Sequence, residues 1–282
     1  MGRLFVAGEV QETYGEQINL RLLAEVGREM PRTRDGRYAY RGFGLGVDGV
    51  VNDWLSGSAN LLHRKFYDAR LGAADSGQIQ LWAKGDSFAA GVGYERREEL
   101  GNEFALFQGT HSDQVWLGGT AALARKLDLE ARLTSTGYSD SNRGIAFVLR
   151  PAYAWTDHPR VFKTTLTLEM RHTNAASIYV PGPTRLTNII HPYWTPRDYL
   201  HAGLTLEWFH DLAKEFFVGS EEHFYDLRLT LGSDSESNPA VTWEADWHRE
   251  WWDRWVAHAG LYLNFSRAWD ALGLNLKMAR RF

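Results

Sequence analysis

The sequence has no cysteine, few prolines and no long apolar run. Without cysteine, the 282-residue chain has no disulfide, no thiol nucleophile and no cysteine-ligated metal site. No stretch approaches the ~20 apolar residues that a membrane-spanning helix needs, which excludes helical spans. The net charge of −4 comes without a basic cluster, so we expect no nucleic-acid partner.

Sequence motifs for catalysis are also missing. The ten histidines are scattered, and none falls in the H-E-x-x-H pattern of zinc hydrolases. There is no G-x-S-x-G elbow and no glycine-rich phosphate loop. We therefore predict no enzymatic activity, no metal and no cofactor. A hydrolase site formed by Ser, His and Asp on neighbouring strands is the less favoured alternative.

Apolar and polar residues alternate strictly through residues 241–282. Three consecutive segments show this pattern: Val241–His248, Ala257–Ser266 and Leu272–Ala279. Alternation with period two predicts strands whose apolar side chains share one face. A row of such strands is typical of a membrane barrel, which meets lipid outside and water inside.

The same rhythm divides the earlier part of the chain into strand-like segments, separated by short turns and longer loops. Glu98–Asp113 is either a long loop or a loop flanked by an extra strand at Phe104–Gly109, and residues 174–197, with four of the eight prolines, predict a long loop. The other segments are 4–11, Ile18–Val26, Tyr38–Val50, Leu55–Arg64, Gln78–Lys84, Ser87–Arg97, Val115–Arg125, Leu127–Gly137, Ile145–Trp155, Val161–Thr173, Tyr199–Phe209 and Phe216–Leu231.

These segments predict an all-β fold, a transmembrane antiparallel β-barrel of 16 strands, with 14 as the alternative. We expect residues 1–282 to form a single barrel domain in the bacterial outer membrane, surrounded by its lipid. A soluble β-sandwich with an aromatic core is the structural alternative.

Alternation also assigns residues to the barrel lumen, where acids and bases occur in nearly even numbers. Sugar rings stack on aromatic faces, and their hydroxyls bond to carboxylates, so an acidic and aromatic lining suits a saccharide. Alternatively the charges brace the wall as cross-strand ion pairs, and the aromatics pack at the interface or against an inserted loop. The candidates for the substrate path are Glu169, Glu207, Asp226, Glu244, Asp246, Trp82, Trp116 and Tyr262.

One segment resembles a known family. His191-Pro192-Tyr193-Trp194-Thr195-Pro196-Arg197-Asp198-Tyr199 is similar to the Y-[YFW]-[SN]-P-x-x-[FY] entry to a late barrel strand in outer-membrane exopolysaccharide export porins. The order of elements from Gly203 to the C-terminus follows the same group, so the likeness covers roughly residues 190–282. It is nearest to the poly-N-acetylglucosamine export porin type, with the Pel and cellulose export porins as relatives.

This resemblance implies passive export of a biofilm exopolysaccharide, poly-N-acetylglucosamine-like and partly deacetylated, as a linear polymer through the lumen. It also implies that the barrel is the C-terminal part of a longer protein, whose periplasmic tetratricopeptide region recruits a polysaccharide-modifying enzyme. Tyr193 and Trp194 are expected to fold inward or to gate the outer mouth. A general small-solute diffusion porin is the alternative function.

Overall fold

The computed structural model describes residues 2–14, 18–30, 38–68, 71–99, 105, 108–175, 179–181, 186–188, 195–213, 223–235, 237–251, 255–266 and 271–280. Within these ranges almost all residues belong to strands. The strands are β1 (Gly2–Tyr14), β2 (Ile18–Met30), β3 (Tyr38–Asn52), β4 (Leu55–Phe66), β5 (Ala73–Lys84), β6 (Phe88–Glu98), β7 (His111–Ala124), β8 (Leu127–Tyr138), β9 (Arg143–Ala154), β10 (Arg160–Thr173), β11 (Tyr179–Pro181), β12 (Leu186–Asn188), β13 (Tyr199–Asp211), β14 (His223–Asp234), β15 (Pro239–Trp251), β16 (Trp255–Ser266) and β17 (Ala271–Arg280).

Fifteen of these strands form one sheet in which each strand pairs antiparallel with the next along the chain. β11 and β12 form a separate two-stranded hairpin. The first and last strands of the large sheet, β1 and β17, lie in contact with Cα atoms within 8 Å, so the sheet curls until its edges meet. The predicted all-β antiparallel barrel is confirmed, whereas the described part of the chain contributes fifteen strands to the large sheet, so the sixteen expected are not confirmed.

Alternation explains why this sheet closes with its apolar face outward. On β3, Phe43, Leu45 and Val47 are exposed, whereas Gly44 and Gly46 between them are buried on the other face. β5, β7, β10 and β17 also expose leucine, isoleucine, valine or methionine at every second position. A soluble sandwich would bury such side chains in a core; here they form a continuous band facing lipid. Among the described residues, no helix is long and apolar enough to cross a membrane.

The two ends of the barrel differ in the length of their connections. Most connections at one end are short, at residues 53–54, 85–87, 125–126 and 155–159, with residues 212–222 as the longer exception; we call this the short-turn end. At the other, the long-loop end, the connections include residues 67–72, 99–110, 139–142 and 174–198. Short turns face the periplasm in bacterial outer-membrane barrels, so the long-loop end faces outward.

The pairing register shifts at two places between β3 and β10. One lies between Val50 and Asn52, the other between Ala122 and Ala124. Both are within a few residues of a short turn. Through the membrane-spanning part of those strands, inner and outer faces therefore never exchange.

Three sequence expectations about segments need correction or fall outside the described residues. Ala105 and Gln108 are helical, so the extra strand predicted at Phe104–Gly109 is wrong; the predicted loop Glu98–Asp113 is shortened at both ends by β6 and β7. The loop predicted for 174–197 contains the β11–β12 hairpin, whose three-residue strands are too short to show alternation. β14 begins at His223 among the described residues; its predicted start, Phe216, lies outside them.

Candidate functional site

Strand pairing places all eight substrate-path candidates on the inner face of the barrel. Each alternates along its strand with outward apolar residues, as Glu169 does between the exposed Leu168 and Met170. These positions agree with the faces assigned from the sequence. What the structure adds is which candidates share a height, which have partners and which are accessible.

A row of alternating charges crosses four neighbouring strands. Lys163 on β10, Glu207 on β13, Arg228 on β14 and Glu244 on β15 are directly opposite one another in register. Lys163 Nζ lies 2.8 Å from Glu207 Oε2, and Arg228 Nη1 lies 4.0 Å from Glu244 Oε2. Opposite charges on directly paired residues stabilise a sheet, so this row braces the wall.

Two further acids lie one row closer to the short-turn end. Asp226 and Asp246 are directly opposite each other. Arg228 forms an ion pair with Asp226, and His258 Nε2 lies 3.2 Å from Asp246 Oδ1. Among the side chains that the structure describes around this position, four carboxylates share two permanent cations. We call the carboxylates and the two cations together the acidic wall: Glu207, Asp226, Glu244, Asp246, Lys163 and Arg228.

The acids of this wall differ in accessibility. The side chain of Asp226 is 6% exposed, and its Oδ1 has no hydrogen-bond partner among the described residues. Those of Glu244 and Asp246 are 36% and 30% exposed. A solute in the lumen therefore meets Glu244 and Asp246, while Asp226 serves the wall itself.

The neighbouring strand β16 leaves room beside these two carboxylates. Tyr262 is directly opposite Glu244 and half-buried. Gly260 is directly opposite Asp246, and a Cβ atom at Gly260 would lie 2.8 Å from Asp246 Oδ1. The glycine thus provides the space that the carboxylate occupies, and Glu244, Asp246 and Tyr262 form one accessible patch.

Glu169 lies apart from this patch. It pairs with Arg171 on its own strand, near the long-loop end, and is directly opposite His201. Six residues of β10 separate it from Lys163, or about 20 Å along the strand. The structure therefore does not bring Glu169 together with the other four acids.

The two predicted tryptophans lie on another part of the lumen. Trp82 of β5 is directly opposite Gly91, and Trp116 of β7 is directly opposite Gly93. A Cβ at Gly91 would lie 2.6 Å from the Trp82 ring, and one at Gly93 would lie 2.5 Å from the Trp116 ring. Each indole therefore lies flat over a glycine of β6. The bare backbone of β6 is what allows the rings to lie against the wall.

The two rings contact each other, but only one is open to the lumen. Their centroids are 5.4 Å apart at an interplanar angle of 44°. Arg132 Cζ lies 4.4 Å from the Trp116 centroid, and Trp116 is 3% exposed, whereas Trp82 is half-buried. We call this cluster the aromatic wall: Trp82, Trp116, Gly91, Gly93 and Arg132.

The aromatic and acidic walls occupy different sides of the barrel. The aromatic wall spans β5–β8 and the acidic wall spans β10–β15, with β9 between them in the sheet order. Aromatic rings therefore line one side of the lumen, and carboxylates line another.

A band of neutral hydroxyl groups lies next to the charged row, on its long-loop side. Thr205 Oγ1 and Thr230 Oγ1 are 2.8 Å apart, and Thr242 Oγ1 donates to Asn264 Oδ1 at 2.9 Å. The band is not evident from the amino-acid sequence, because no single threonine in it is unusual. Its signal is positional, since the residues lie directly opposite one another in the order Thr165, Thr205, Thr230, Thr242 and Asn264.

The predicted gate residues Tyr193 and Trp194 lie outside the described residues. Within the part of the chain that the structure describes, no three His, Asp or Glu side chains come close enough to hold a metal ion.

Comparison with known proteins identifies the fold. No protein-family model matches the chain, and neither does any curated protein. A solved structure described as a bacterial polysaccharide outer membrane secretin matches with a TM-score of 0.64 and 15% identity, over 99% of this chain and 98% of that one. The chain is an outer-membrane β-barrel.

Other outer-membrane barrels are similar at lower scores. OccD1 (OprD) matches with a TM-score of 0.49 and 11% identity, over 99% of this chain and 93% of that one. OccK11 (OpdR) of Pseudomonas aeruginosa matches with a TM-score of 0.41 and 12% identity, over 99% and 92%. At these identities the likeness concerns the fold.

Proposed function

We propose that this barrel exports a linear biofilm exopolysaccharide, poly-N-acetylglucosamine-like and partly deacetylated. The observation that carries the proposal is the accessible patch of Glu244, Asp246 and Tyr262 on the acidic wall. The fold likeness to a barrel described as a polysaccharide secretin supports it. In this view the barrel is the C-terminal part of a longer protein whose periplasmic tetratricopeptide region recruits a polysaccharide-modifying enzyme.

The acidic wall suits a polymer with scattered ammonium groups. Deacetylated glucosamine units carry a positive charge near neutral pH, and acetylated units carry none. Carboxylates that are about one-third exposed, as those of Glu244 and Asp246 are, attract such groups in water by roughly 0–1 kcal/mol each. Weak and repeated contacts favour conduction, because a tight site would hold the polymer in place.

The aromatic wall contributes a second kind of contact. The half-buried ring of Trp82 offers an apolar face to the C–H surface of a sugar ring. Since Trp116 is covered by Arg132, its role is to support Trp82. Tyr193 and Trp194 stay proposed as gate residues of the outer mouth.

The test is polymer block of ion current through the purified barrel in planar bilayers. Partly deacetylated glucosamine oligomers should interrupt the current of the native barrel. Replacing Glu244 by Gln and Asp246 by Asn should weaken this block about tenfold, at roughly 0.7 kcal/mol for each lost contact. Fully acetylated oligomers should block both forms equally, because they carry no charge.

A matched control removes two lumen acids on another side of the barrel. Glu95→Gln with Asp128→Asn changes the same net charge on β6 and β8, away from the patch, and should retain most of the block. Equal block of the native barrel and the Glu244/Asp246 variant would contradict the proposal. A large steady current that no oligomer interrupts would favour a general diffusion porin instead.

A further inference from the structure

The outward face of the β3–β4 hairpin changes character toward the long-loop end. Its residues are directly opposite in pairs, so each pair marks one height on the barrel. Successive pairs are two residues apart, or about 7 Å. From the middle of the barrel toward the long loops, the pairs are Leu45–Leu61, Phe43–His63 and Arg41–Lys65.

From the first pair to the last, the outward side chains change from those suited to the hydrocarbon core of the membrane to those suited to its headgroup region. Leu45 and Leu61 are 52% and 57% exposed and belong to the apolar band. Phe43 and His63 follow with ring centroids 5.8 Å apart, an aromatic and polar pair of the kind found at membrane interfaces. Beyond the bases, Tyr67 is also exposed and its backbone pairs with Ala39. The outer boundary of the hydrocarbon therefore lies near Phe43, with Arg41 and Lys65 at headgroup height.

The two bases at this height are exposed and without an acid partner among the described residues. Arg41 and Lys65 both point outward from adjacent strands. Elsewhere on the outward face, Arg96 is neutralised by Asp113, with Nε 2.9 Å from Oδ1 and Nη2 3.0 Å from Oδ2. The nearby Asp75 is bonded to His63 Nδ1 at 2.6 Å. The β3–β4 bases thus form a cationic pair available to an anion from outside the protein.

On the inner face of the same hairpin, buried side chains pack behind Arg41 and Lys65. Tyr40 and Phe66 are directly opposite and buried, with ring centroids 5.8 Å apart. Leu71 and Ala74 complete this buried cluster. Because strands packed in this way fix their backbone, the two outward Cβ positions keep their spacing.

We propose that Arg41 and Lys65 bind the phosphate of an anionic glycolipid in the outer leaflet. Arginine offers a planar fork for two phosphate oxygens, and lysine adds a point charge. The acyl chains of the same lipid would lie along Phe43, Leu45 and Leu61. The site depends on the outer-membrane location of the barrel and is independent of what passes through the lumen.

The test measures binding of diphosphoryl lipid A to the purified full chain in detergent. Each lost base near an anionic lipid weakens binding about fivefold, so Arg41→Gln with Lys65→Gln should lower the affinity about 25-fold. The control, Arg125→Gln with Arg160→Gln, removes two exposed bases at the short-turn end and should leave the affinity within about twofold. A heat-shifted gel band confirms that each variant is folded.

Two further ligands distinguish the source of the phosphate. Lipid A with the same acyl chains but no phosphate should bind native and variant barrels equally and weakly. Millimolar inorganic phosphate should not displace the lipid, because it lacks the acyl chains; displacement would mean a free-anion site and would overturn the proposal. Binding unchanged in the Arg41/Lys65 variant would also overturn it. The native barrel alone gives an independent check, since its affinity for diphosphoryl lipid A should fall with rising salt, and a salt-independent affinity would contradict a phosphate contact.

Discussion

The acidic wall and the aromatic wall hold their side chains by different means. On the acidic wall carboxylates are held by ion pairs within a strand or between strands, as Glu207 is by Lys163. On the aromatic wall the rings pack into the space left by Gly91 and Gly93, which have no side chain. The stability of the acidic wall should therefore depend on keeping each charge, whereas the stability of the aromatic wall should depend on keeping its glycines free of a Cβ atom.

Loss of the central cation of the acidic wall should have the largest effect. Arg228→Gln leaves Asp226 buried with no permanent cation beside it. A buried charge that loses its partner is left uncompensated, which costs about 3 kcal/mol. We expect the free energy of unfolding, measured by urea titration of vesicle-inserted barrel, to fall by about 3 kcal/mol.

The double variant of Arg228 and Asp226 is the control for this prediction. Adding Asp226→Asn to Arg228→Gln removes the buried charge, so more than half of the lost stability should return. Two losses that simply add would show that Asp226 and Arg228 act independently and that this ion pair does not stabilise the wall.

Addition of one carbon should have the next largest effect, on the aromatic wall. Gly93→Ala places a Cβ 2.5 Å from the Trp116 ring, which Arg132 confines from another side. Overpacking of this kind costs about 1–3 kcal/mol, measurable by the same titration. Gly137→Ala, where no atom lies within 4 Å of the new Cβ, is the matched control. A Gly93→Ala barrel as stable as the control would mean that Trp116 moves freely.

Removal of the accessible ring should change function more than stability. Trp82→Ala should shorten the residence of saccharide oligomers in the lumen about fivefold, since one aromatic contact contributes about 1 kcal/mol. Bilayer recordings measure this from the length of current blocks. Trp82→Phe keeps an aromatic face and should retain most of the residence time; equal blocks in all three forms would assign Trp82 to packing alone.

The smallest effect is expected at Gly260, a glycine of the lumen wall that lies beside a carboxylate. Gly260 also lies under a lumen side chain, but its new Cβ would meet the carboxylate end of Asp246 at 2.8 Å. A carboxylate can rotate away more easily than the Trp116 ring, which is packed between Gly93 and Arg132. Gly260→Ala should therefore lower the free energy of unfolding by only about 0.5 kcal/mol. Parallel titrations of Gly260→Ala and Gly93→Ala compare the walls directly, and equal losses would remove the distinction between them.

Much of the fold follows from alternation alone. β15, β16 and β17 match the predicted segments closely, because one face meets lipid and a one-residue slip would expose the other. The three-residue strands β11 and β12 carry no such signal. The helical residues Ala105 and Gln108 are flanked by apolar residues that resemble a short strand.

The sequence predicts which residues face the lumen, but it does not predict which of them are neighbours across strands. If the predicted segments Gln78–Lys84 and Ser87–Arg97 were joined by a two-residue turn at Gly85-Asp86, Trp82 would be opposite Ala89; the observed connection is longer, and Trp82 is opposite Gly91. No similar rule pairs Gly93 with Trp116, because a loop of undefined geometry separates β6 from β7. Alternation also gives no depth of burial, so Asp226 and Glu244 look equivalent in the sequence.

Charge counts were misleading for a related reason. The sequence shows acids and bases in nearly even numbers on the inner face. The sheet order gathers Glu207, Asp226, Glu244 and Asp246 on three consecutive strands, β13–β15. Local charge depends on which strands are neighbours, and composition does not contain that information.

The position of the register shifts has a consequence for how this chain can change in evolution. Insertion of a single residue within a strand would turn every following side chain of that strand to the opposite face, placing charges in lipid and leucines in water. The shifts at Val50/Asn52 and Ala122/Ala124 lie beside short turns, where few side chains are affected. Insertions and deletions should therefore accumulate in the connections, whereas the strands diverge by substitution at constant length.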